Sequence, residues 1–265
     1  MTLAVSIAAG AMPFGFQLIL RQRDNRVLAP DSTSRRALVA TLLAQPESFG
    51  LLGFGLGDDH AHVLVRCGRE AAGELGRRLE ITLQGRIPRC EGFRPLLITE
   101  IAGQDHLRSL IDYVIDQDRK HGANLDPLRE GTVLPDLLGL RPGASAVVRR
   151  VLDELPRLRG RQLLHHLPAP LREVAHVDTL AEAACAALLL ANLDGRDARR
   201  ALARRAAVAA AGNTDASVLA AVLGIDARSV RRLRGAGDVP PALIRAVRRW
   251  SGLLAAVRAD QGRGG

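Results

Sequence analysis

The feature that most constrains the fold is residues 60–65 (HAHVLV), where two histidines enter an apolar run directly after the turn residues 57–59. A short apolar run bounded by turn residues favours a β-strand. Side chains alternate along a strand, so His60 and His62 would lie on one face and Ala61 on the other. Two imidazoles on a rigid strand form half of a metal site. The alternative is a strand that carries two polar residues on its solvent face, and this stretch alone does not decide between them.

Composition indicates a globular chain with a basic second half. The chain has 265 residues, 47% hydrophobic and 25% charged, which is enough for one large domain or two ordinary ones. Aromatic residues make up 3%, which disfavours a nucleic-acid surface built from several stacking rings. Residues 141–265 carry 21 arginines against 11 acidic residues, whereas residues 1–140 are close to neutral. The basic half is typical of a polyanion-binding module, although a solvated arginine-rich helical surface has the same composition.

The cysteines and the apolar runs predict a cytoplasmic protein with no membrane partner, and the basic second half adds the expectation that it is nucleoid-associated. Cys67, Cys90 and Cys185 are far apart and form no Cys-x-x-Cys pair, which argues against a zinc ribbon or a secreted disulfide scaffold. Residues 1–13 read as an N-terminal extension without the basic start of a signal peptide. No apolar run reaches the roughly 20 residues that a membrane span needs.

The pattern of the first half predicts a ferredoxin-like α+β fold, with an antiparallel sheet and helices packed on one face. Its predicted order is strand, helix, strand, strand, helix, strand, helix. The strands are predicted at 14–23, 49–56, 60–67 and 94–101, and the helices at 34–44, 70–84 and 104–121. This first domain would span residues 14–122. Several prolines and glycines at 123–145 predict a linker.

From residue 146 the sequence predicts an all-α domain that reaches residue 265. Helices are predicted at 145–158, 160–171 (interrupted by two prolines), 179–193 and 197–211. Thr179 and Glu182 fit a capping box at the start of the third of these helices. The adjacent His165 and His166 are interpreted as loop or surface residues. The remaining histidines have no partner in the sequence and are given no metal role; they are His106, His121 and His176.

Tyr113 and Gln117 lie four residues apart on the predicted helix 104–121 and therefore share one of its faces. A tyrosine beside a polar residue is ordinarily half-buried packing. Taken together with the preceding His60-Ala61-His62 strand, however, this pair resembles the HUH single-tyrosine transposases, which include insertion-sequence and REP-associated enzymes. The basic turn at residues 21–26 is also similar to that family. The resemblance covers residues 14–122.

The resemblance implies a metal-assisted attack on single-stranded or hairpin DNA. His60, His62 and Gln117 would hold Mg²⁺ or Mn²⁺, and Tyr113 would attack a phosphodiester to give a 5′-phosphotyrosine and a free 3′-OH. This ligand set lacks the carboxylates that usually hold Mg²⁺, so weak metal binding is expected. Asp59 is either a partner that orients an imidazole or a turn residue.

Two departures from the family pattern make the chain a divergent relative. Residues 57–59 replace an apolar-Pro-Asn lead-in to the first histidine, and Phe16-Gln17 stand where many relatives have a histidine. The resemblance therefore leaves two hypotheses, an active transposase-like enzyme or an inactive relative that regulates by binding DNA. Both a monomer and a homodimer are open.

A second DNA-binding motif is predicted at residues 216–234, whose spacing suits a helix-turn-helix. Ala220 is small where two helices would cross, and Gly224 allows the sharp turn between them. The second helix would present a polar face to duplex DNA, and the basic turn before the first helix would also contact DNA. The predicted DNA-binding residues are Arg228, Ser229, Arg231, Arg232, Arg234, Arg21 and Arg23. The alternative is an ordinary helical hairpin with an arginine face.

Overall fold

The computed structural model describes residues 13–120 and 126–262, and these form an α+β protein with a four-strand antiparallel sheet and a C-terminal helical region. The strands are β1 (Gly15–Arg21), β2 (Leu51–Leu56), β3 (His60–Val65) and β4 (Leu97–Ile101), arranged in the order β2-β3-β1-β4. The first helices are α1 (Ser32–Leu43), α2 (Arg69–Gln84) and α3 (Gln104–Lys120). The α+β class is thus confirmed. The predicted end of α3 at His121 lies outside the described residues.

Local hydrogen bonds explain where the elements around the site begin. The Asp31 carboxylate accepts a hydrogen bond from the Ser34 amide at 2.7 Å and caps α1. The amide of Gly57 donates to the His60 carbonyl at 2.7 Å and closes the hairpin between β2 and β3. The histidine strand therefore begins directly after a tight turn, as the sequence indicates.

Helices cover both faces of the sheet, so the prediction that they pack on one face is wrong. Ile98 of β4 pairs with Leu18 of β1, and a Cβ on Gly73 of α2 would lie 3.9 Å from the Ile98 side chain. On the opposite face, Gln117 of α3 contacts His60. All six positions of β3 are buried, so both its histidine face and its apolar face are covered.

Residues 126–144 form a packed segment, so the prediction of a linker is wrong for this part of 123–145. Most of these side chains are buried, and the segment contains the short helix α4 (Leu134–Leu137). The Leu56 amide donates to the Gly131 carbonyl, and the Val133 amide donates to the Phe54 carbonyl, each at 3.0 Å. The segment thereby covers the outer edge of β2, which needs hydrogen-bond partners. Its prolines and glycines form turns within this packed path.

Buried ion pairs join the same segment to α1. The Arg36 guanidinium of α1 donates two hydrogen bonds to the Glu130 carboxylate, at 2.8 and 2.9 Å, and both side chains are buried. Burial raises the pKa of Glu130, and the charge of Arg36 opposes that rise. Arg141 lies 3.4 Å from Asp136 in a second buried pair, and it donates to the Thr132 carbonyl.

The C-terminal region contains six further helices among the described residues. They are α5 (Ser145–Glu154), α6 (Leu180–Leu188), α7 (Ala198–Ala211), α8 (Ala216–Leu223), α9 (Ala227–Arg234) and α10 (Pro241–Gln261). The predicted helix at 160–171 is instead a 3₁₀ segment at Gly160–His166. Trp250 of α10 is buried and donates to the Leu140 carbonyl at 2.9 Å. One continuous apolar core therefore runs from the sheet into this helical region.

Helix α6 differs from the prediction at both of its ends. The Thr179 side chain makes no capping hydrogen bond; its hydroxyl donates to the His176 carbonyl at 2.9 Å, so the predicted capping box is wrong. Leu189 adopts a left-handed φ of 52° and ends the helix before the predicted position 193. Contacts with α10 decide the start of this helix, because Thr179 is also hydrogen-bonded to Ser251.

The buried Arg36–Glu130 pair yields a stability prediction. Glu130→Gln removes the closest negative charge and leaves the buried Arg36 guanidinium with only the more distant Glu182 carboxylate, 3.7 Å away, which we expect to lower the free energy of unfolding by about 3 kcal/mol. Urea denaturation followed by circular dichroism measures this change. Glu74→Gln, an exposed change of the same chemistry on α2, should alter stability by less than about 0.5 kcal/mol. Equal stabilities of the two variants would contradict the prediction.

Candidate functional site

The two histidines of β3 lie side by side beneath α3. His60 and His62 are each 3% exposed, and their ring centroids are 4.9 Å apart with an interplanar angle of 70°. They pair with Arg21 and Ile19 of the neighbouring strand β1, which fixes their register. The predicted common face is therefore observed, but it is buried and does not face solvent. The simple interpretation as a solvent face of a strand is wrong.

Helix α3 approaches the sheet closely at Gly55 of β2. A Cβ at this position would lie 2.2 Å from the Val114 carbonyl oxygen, so the helix backbone passes directly over the strand. Only a residue without a side chain permits this approach. Because Val114 lies between Tyr113 and Gln117 in sequence, the contact brings both residues to the histidine face. Tyr113 and Gln117 of α3 thus meet the two histidines of β3, which are distant from them in the chain.

A chain of hydrogen bonds fixes the tautomer of His60. Its Nδ1 lies 2.6 Å from Asp59 Oδ1, and its Nε2 accepts a hydrogen bond from the Gln117 amide nitrogen. A carboxylate only accepts, so the proton of the neutral ring resides on Nδ1 and the lone pair on Nε2. Asp59 thus orients the imidazole, which is one of its two roles expected from the sequence. Its second oxygen lies 3.3 Å from Arg21 Nε.

Burial lowers the pKa of His60, while the hydrogen bond and the charge of Asp59 act in the opposite direction. The net shift is downward from the ordinary value of 6.5. His60 is therefore neutral at pH 7, and its Nε2 lone pair is the form of histidine that binds metals.

His62 lies between Gln17 of β1 and Tyr113 of α3. Gln17 Nε2 lies 2.7 Å from His62 Nδ1, and the half-buried ring of Tyr113 meets the His62 ring edge-on at 5.3 Å between centroids and 86°. Gln17 was not predicted as a site residue. A glutamine inside the apolar strand FGFQLIL is the signal that could have found it. The Gln17 amide nitrogen donates to His62 Nδ1, which puts the proton of the neutral ring on Nε2. With the amide turned over, its oxygen would accept from Nδ1 and place the lone pair on Nε2, where it can bind a cation.

The donor set beside α3 fits a weakly held divalent cation. Gln117 Oε1 is buried and, within the described part of the chain, has no hydrogen-bond partner. Half a turn of this amide would direct its oxygen toward the point that His60 Nε2 also faces. Imidazole ligands suit transition-metal ions better than Mg²⁺, which prefers carboxylates and water.

A second cluster of potential ligands lies at the opposite edge of the His60 ring. Asp58, Asp59 and His60 have ligand atoms within 4.8 Å of one another and could hold a metal ion. Since His60 Nδ1 already donates to Asp59, a metal here would have to replace that proton. The two edges of one imidazole therefore face different donor sets.

His166 is a buried residue that contacts α3, so its interpretation as a loop or surface residue is wrong. It lies in the 3₁₀ segment Gly160–His166, with Nδ1 3.0 Å from Asp116 and Nε2 3.4 Å from Asp112. Burial raises the pKa of Asp116, but His166 and two arginines outweigh this effect, and the net pKa is lowered. These aspartates directly precede Gln117 and Tyr113. Its neighbour His165 is exposed, as predicted.

The predicted helix-turn-helix corresponds to α8 and α9, joined by a turn at Gly224 with a left-handed φ of 63°. Four arginines of α9 are exposed; they are Arg228, Arg231, Arg232 and Arg234. Arg234 also donates to the Thr214 carbonyl. Ser229 is half-buried, and both its amide and its hydroxyl donate to the Asp226 carboxylate. The Asp226 carboxylate therefore caps α9, and the Ser229 hydroxyl that the prediction assigned to DNA donates to this cap.

Two arginines at the basic turn after β1 make contacts within the protein. Arg21 is exposed and pairs with Asp59 next to the histidines. Arg23 donates through Nε to the Phe93 carbonyl at 2.8 Å. Arg21 therefore lies closer to the site than its place in a surface turn suggested, while Arg23 stabilises the loop before β4.

Comparisons of the chain with protein-family models, with curated proteins and with solved structures find no match. In the part of the chain that the structure describes, each helix is too short or too polar to cross a lipid bilayer.

The contact at Gly57 predicts a way to displace Gln117 without unfolding the protein. In Gly57→Ala, the new Cβ would lie 2.5 Å from Gln117 Nε2 and 3.3 Å from His60 Cε1. The backbone at this position is not left-handed, and the clash is with a flexible amide, so stability should fall by about 1 kcal/mol. The ¹⁵N chemical shift of His60 Nε2 should change markedly. Gly103→Ala has open space around its Cβ and should leave that shift unaltered.

The effect of Asp59 on His60 predicts a pH response. Asp59→Asn keeps a hydrogen-bond acceptor but removes the charge, so the pKa of His60 should fall further, as measured by NMR titration. A histidine whose folded pKa lies below 6.5 loses stability as the pH falls through that range, and the variant should lose more. Asp153→Asn, an exposed and distant control, should leave the titration unchanged. An unchanged pKa in Asp59→Asn would disprove this account.

Proposed function

We propose that the chain is a DNA-processing enzyme, a metal-dependent single-strand endonuclease and strand transferase similar to the HUH single-tyrosine transposases. The observation that carries the proposal is the meeting of α3 and β3, where Tyr113 contacts His62 and Gln117 contacts His60. A half-buried nucleophile, two buried imidazoles and a buried amide converge at one place. Such convergence of chemical groups from separate elements is typical of a catalytic site.

The proposal includes a ferredoxin-like arrangement of the first half. The strand order β2-β3-β1-β4, with α1 between β1 and β2 and α2 between β3 and β4, supports this topology. In such a sheet β3 is a central strand. Residues on a central strand are rigidly held, which suits ligands that must keep a fixed separation.

Catalysis would begin with the Tyr113 hydroxyl, which loses its proton to solvent and attacks a DNA phosphorus. The new bond joins the tyrosine oxygen to phosphorus, the bond from phosphorus to the 3′ oxygen breaks, and that oxygen leaves as a 3′-OH after taking up a proton. A bound Mg²⁺ or Mn²⁺ would polarise the phosphate and stabilise charge on the leaving oxygen. His60, oriented by Asp59, would supply a lone pair to that cation, as would His62 and Gln117.

The energy of the cleaved bond would be kept in the phosphotyrosine, so the strand could be transferred to a second 3′-OH without ATP. The covalent step needs a half-buried tyrosine, because the nucleophile must reach DNA while its ring stays fixed. Tyr113 meets this condition by packing on His62. The exposed arginines of α9 would add duplex DNA contacts.

A second candidate is an inactive relative that regulates by binding DNA. The observation that favours it is the direct hydrogen bond between Gln117 and His60, which satisfies the imidazole without any cation. The changed lead-in at residues 57–59 is consistent with this alternative. The arginine face of α9 would serve both functions equally.

Covalent capture of single-stranded DNA tests the enzyme proposal. The full chain is incubated with Mn²⁺ and a labelled pool of hairpin-containing oligonucleotides, then separated by denaturing electrophoresis. We expect a DNA adduct on the wild-type protein and none on Tyr113→Phe, which lacks the attacking oxygen. His60→Ala should lower the adduct yield by roughly 100-fold, through the loss of an oriented ligand.

The controls separate the two candidates. Fluorescence anisotropy should show that Tyr113→Phe binds DNA as well as the wild type, since the ring is retained. DNA binding without an adduct in any Mn²⁺ or Mg²⁺ reaction would favour the regulator. An adduct that persists in Tyr113→Phe would disprove the choice of nucleophile.

A further inference from the structure

A basic cavity of about 910 Å³ lies where the C-terminal end of α3 meets the C-terminal end of α10 and the segment around His165. Four arginines and two acidic residues line it, which leaves an excess of positive charge. The arginines come from four separate parts of the fold; they are Arg35, Arg119, Arg129 and Arg258. None of the residues assigned above to catalysis or to the helix-turn-helix lines this cavity.

The arginines differ in how firmly they are held. Arg35 is buried against Asp126 and forms part of the wall. Arg119 has a side chain 65% exposed and pairs with Asp116, and Arg258 has a side chain 47% exposed and pairs with Glu182. Solvent screens the exposed end of each pair, so it adds little free energy, and the buried Asp116 keeps His166 as a partner 3.0 Å away if Arg119 moves. Both guanidinium groups can therefore exchange a carboxylate for a phosphate, because two phosphate oxygens can accept the same pair of parallel N–H bonds.

His166 connects the wall of the cavity with α3, the helix that carries the candidate nucleophile Tyr113. It belongs to the cavity wall, and its ring contacts Asp112 and Asp116, which directly precede Tyr113 and Gln117. Arg119 follows Tyr113 by six residues, or about 9 Å along the helix axis. This separation is within reach of a few nucleotides of a single strand bound at Tyr113.

We propose that this cavity binds the phosphodiester backbone of the single-stranded DNA that flanks the cleaved bond, with Arg119 and Arg258 as its exchangeable phosphate ligands. This inference rests on the proposed function, because it places the flanking strand relative to Tyr113. In this proposal one DNA strand contacts Tyr113 above the sheet and then the 3₁₀ segment and the C-terminal end of α10. The C-terminal region thus contributes to single-strand binding independently of α9.

Salt-dependent DNA binding tests the cavity. Anisotropy of a labelled single-stranded oligonucleotide is measured on the full chain carrying Tyr113→Phe, so that covalent capture does not contribute. Arg119→Gln with Arg258→Gln should weaken binding by roughly tenfold and reduce the slope of log affinity against log salt by about 1.4, or about 0.7 for each lost phosphate contact. The matched control is Arg157→Gln, which changes an exposed arginine outside the cavity. Its effects on DNA affinity and on the salt slope should be much smaller.

The outcomes separate this inference from the proposed function. If the cavity variants retain wild-type affinity and salt slope while the protein with Tyr113 still forms an adduct, the cavity assignment is overturned and the enzyme stands. If the variants lose affinity but no adduct ever forms, the DNA path stands and the enzyme proposal fails. A third outcome is that inorganic pyrophosphate binds through these arginines while the cavity variants keep their affinity for single-stranded DNA. This result would assign the cavity to a free phosphate compound and overturn the DNA assignment. Circular dichroism melting confirms that each variant is folded.

Discussion

The close approach of α3 to β2 at Gly55 is the contact on which the candidate site depends. A side chain at this position would meet the Val114 carbonyl at 2.2 Å and would push the helix away from the sheet. Tyr113 and Gln117 would then lose their contacts with His62 and His60. A single glycine without a special backbone angle therefore sets the distance between nucleophile and imidazoles. Its importance is steric, because interiors tolerate little added volume.

Buried charges hold the surrounding framework together. Arg36 joins α1 to Glu130, and the next turns of that segment pair with the edge of β2 and accept a hydrogen bond from Trp250. Burial of such ions costs free energy that the paired geometry offsets. These pairs connect the sheet to the C-terminal helices, which explains why His166 can contact α3 from the second half of the chain. The two halves meet at the helix that carries Tyr113.

Sequence periodicity predicted the elements that carry the site, but contacts distant in the chain gave the site its chemistry. The alternation around His60 and His62 and the helical spacing of Tyr113 and Gln117 are local properties, so they could be inferred from the residues alone. Gln17 is 45 residues from His62 and His166 is 50 residues from Asp116, and no local pattern links such pairs. The linker prediction at 123–145 failed for the same reason, since prolines and glycines mark turns without showing whether the turns are buried.

The sequence by itself determined the succession of strands and helices from β1 to α3, the shared face of the two histidines, and the turn at Gly224 between α8 and α9. These follow from side-chain periodicity and from backbone angles that few residues adopt. Only the tertiary structure decided that the histidine face is buried, that Asp59 holds the proton of His60 on Nδ1, and that the Ser229 hydroxyl donates to the Asp226 cap of α9. Burial and hydrogen-bond partners depend on which surfaces pack together, and that packing is a property of the whole chain.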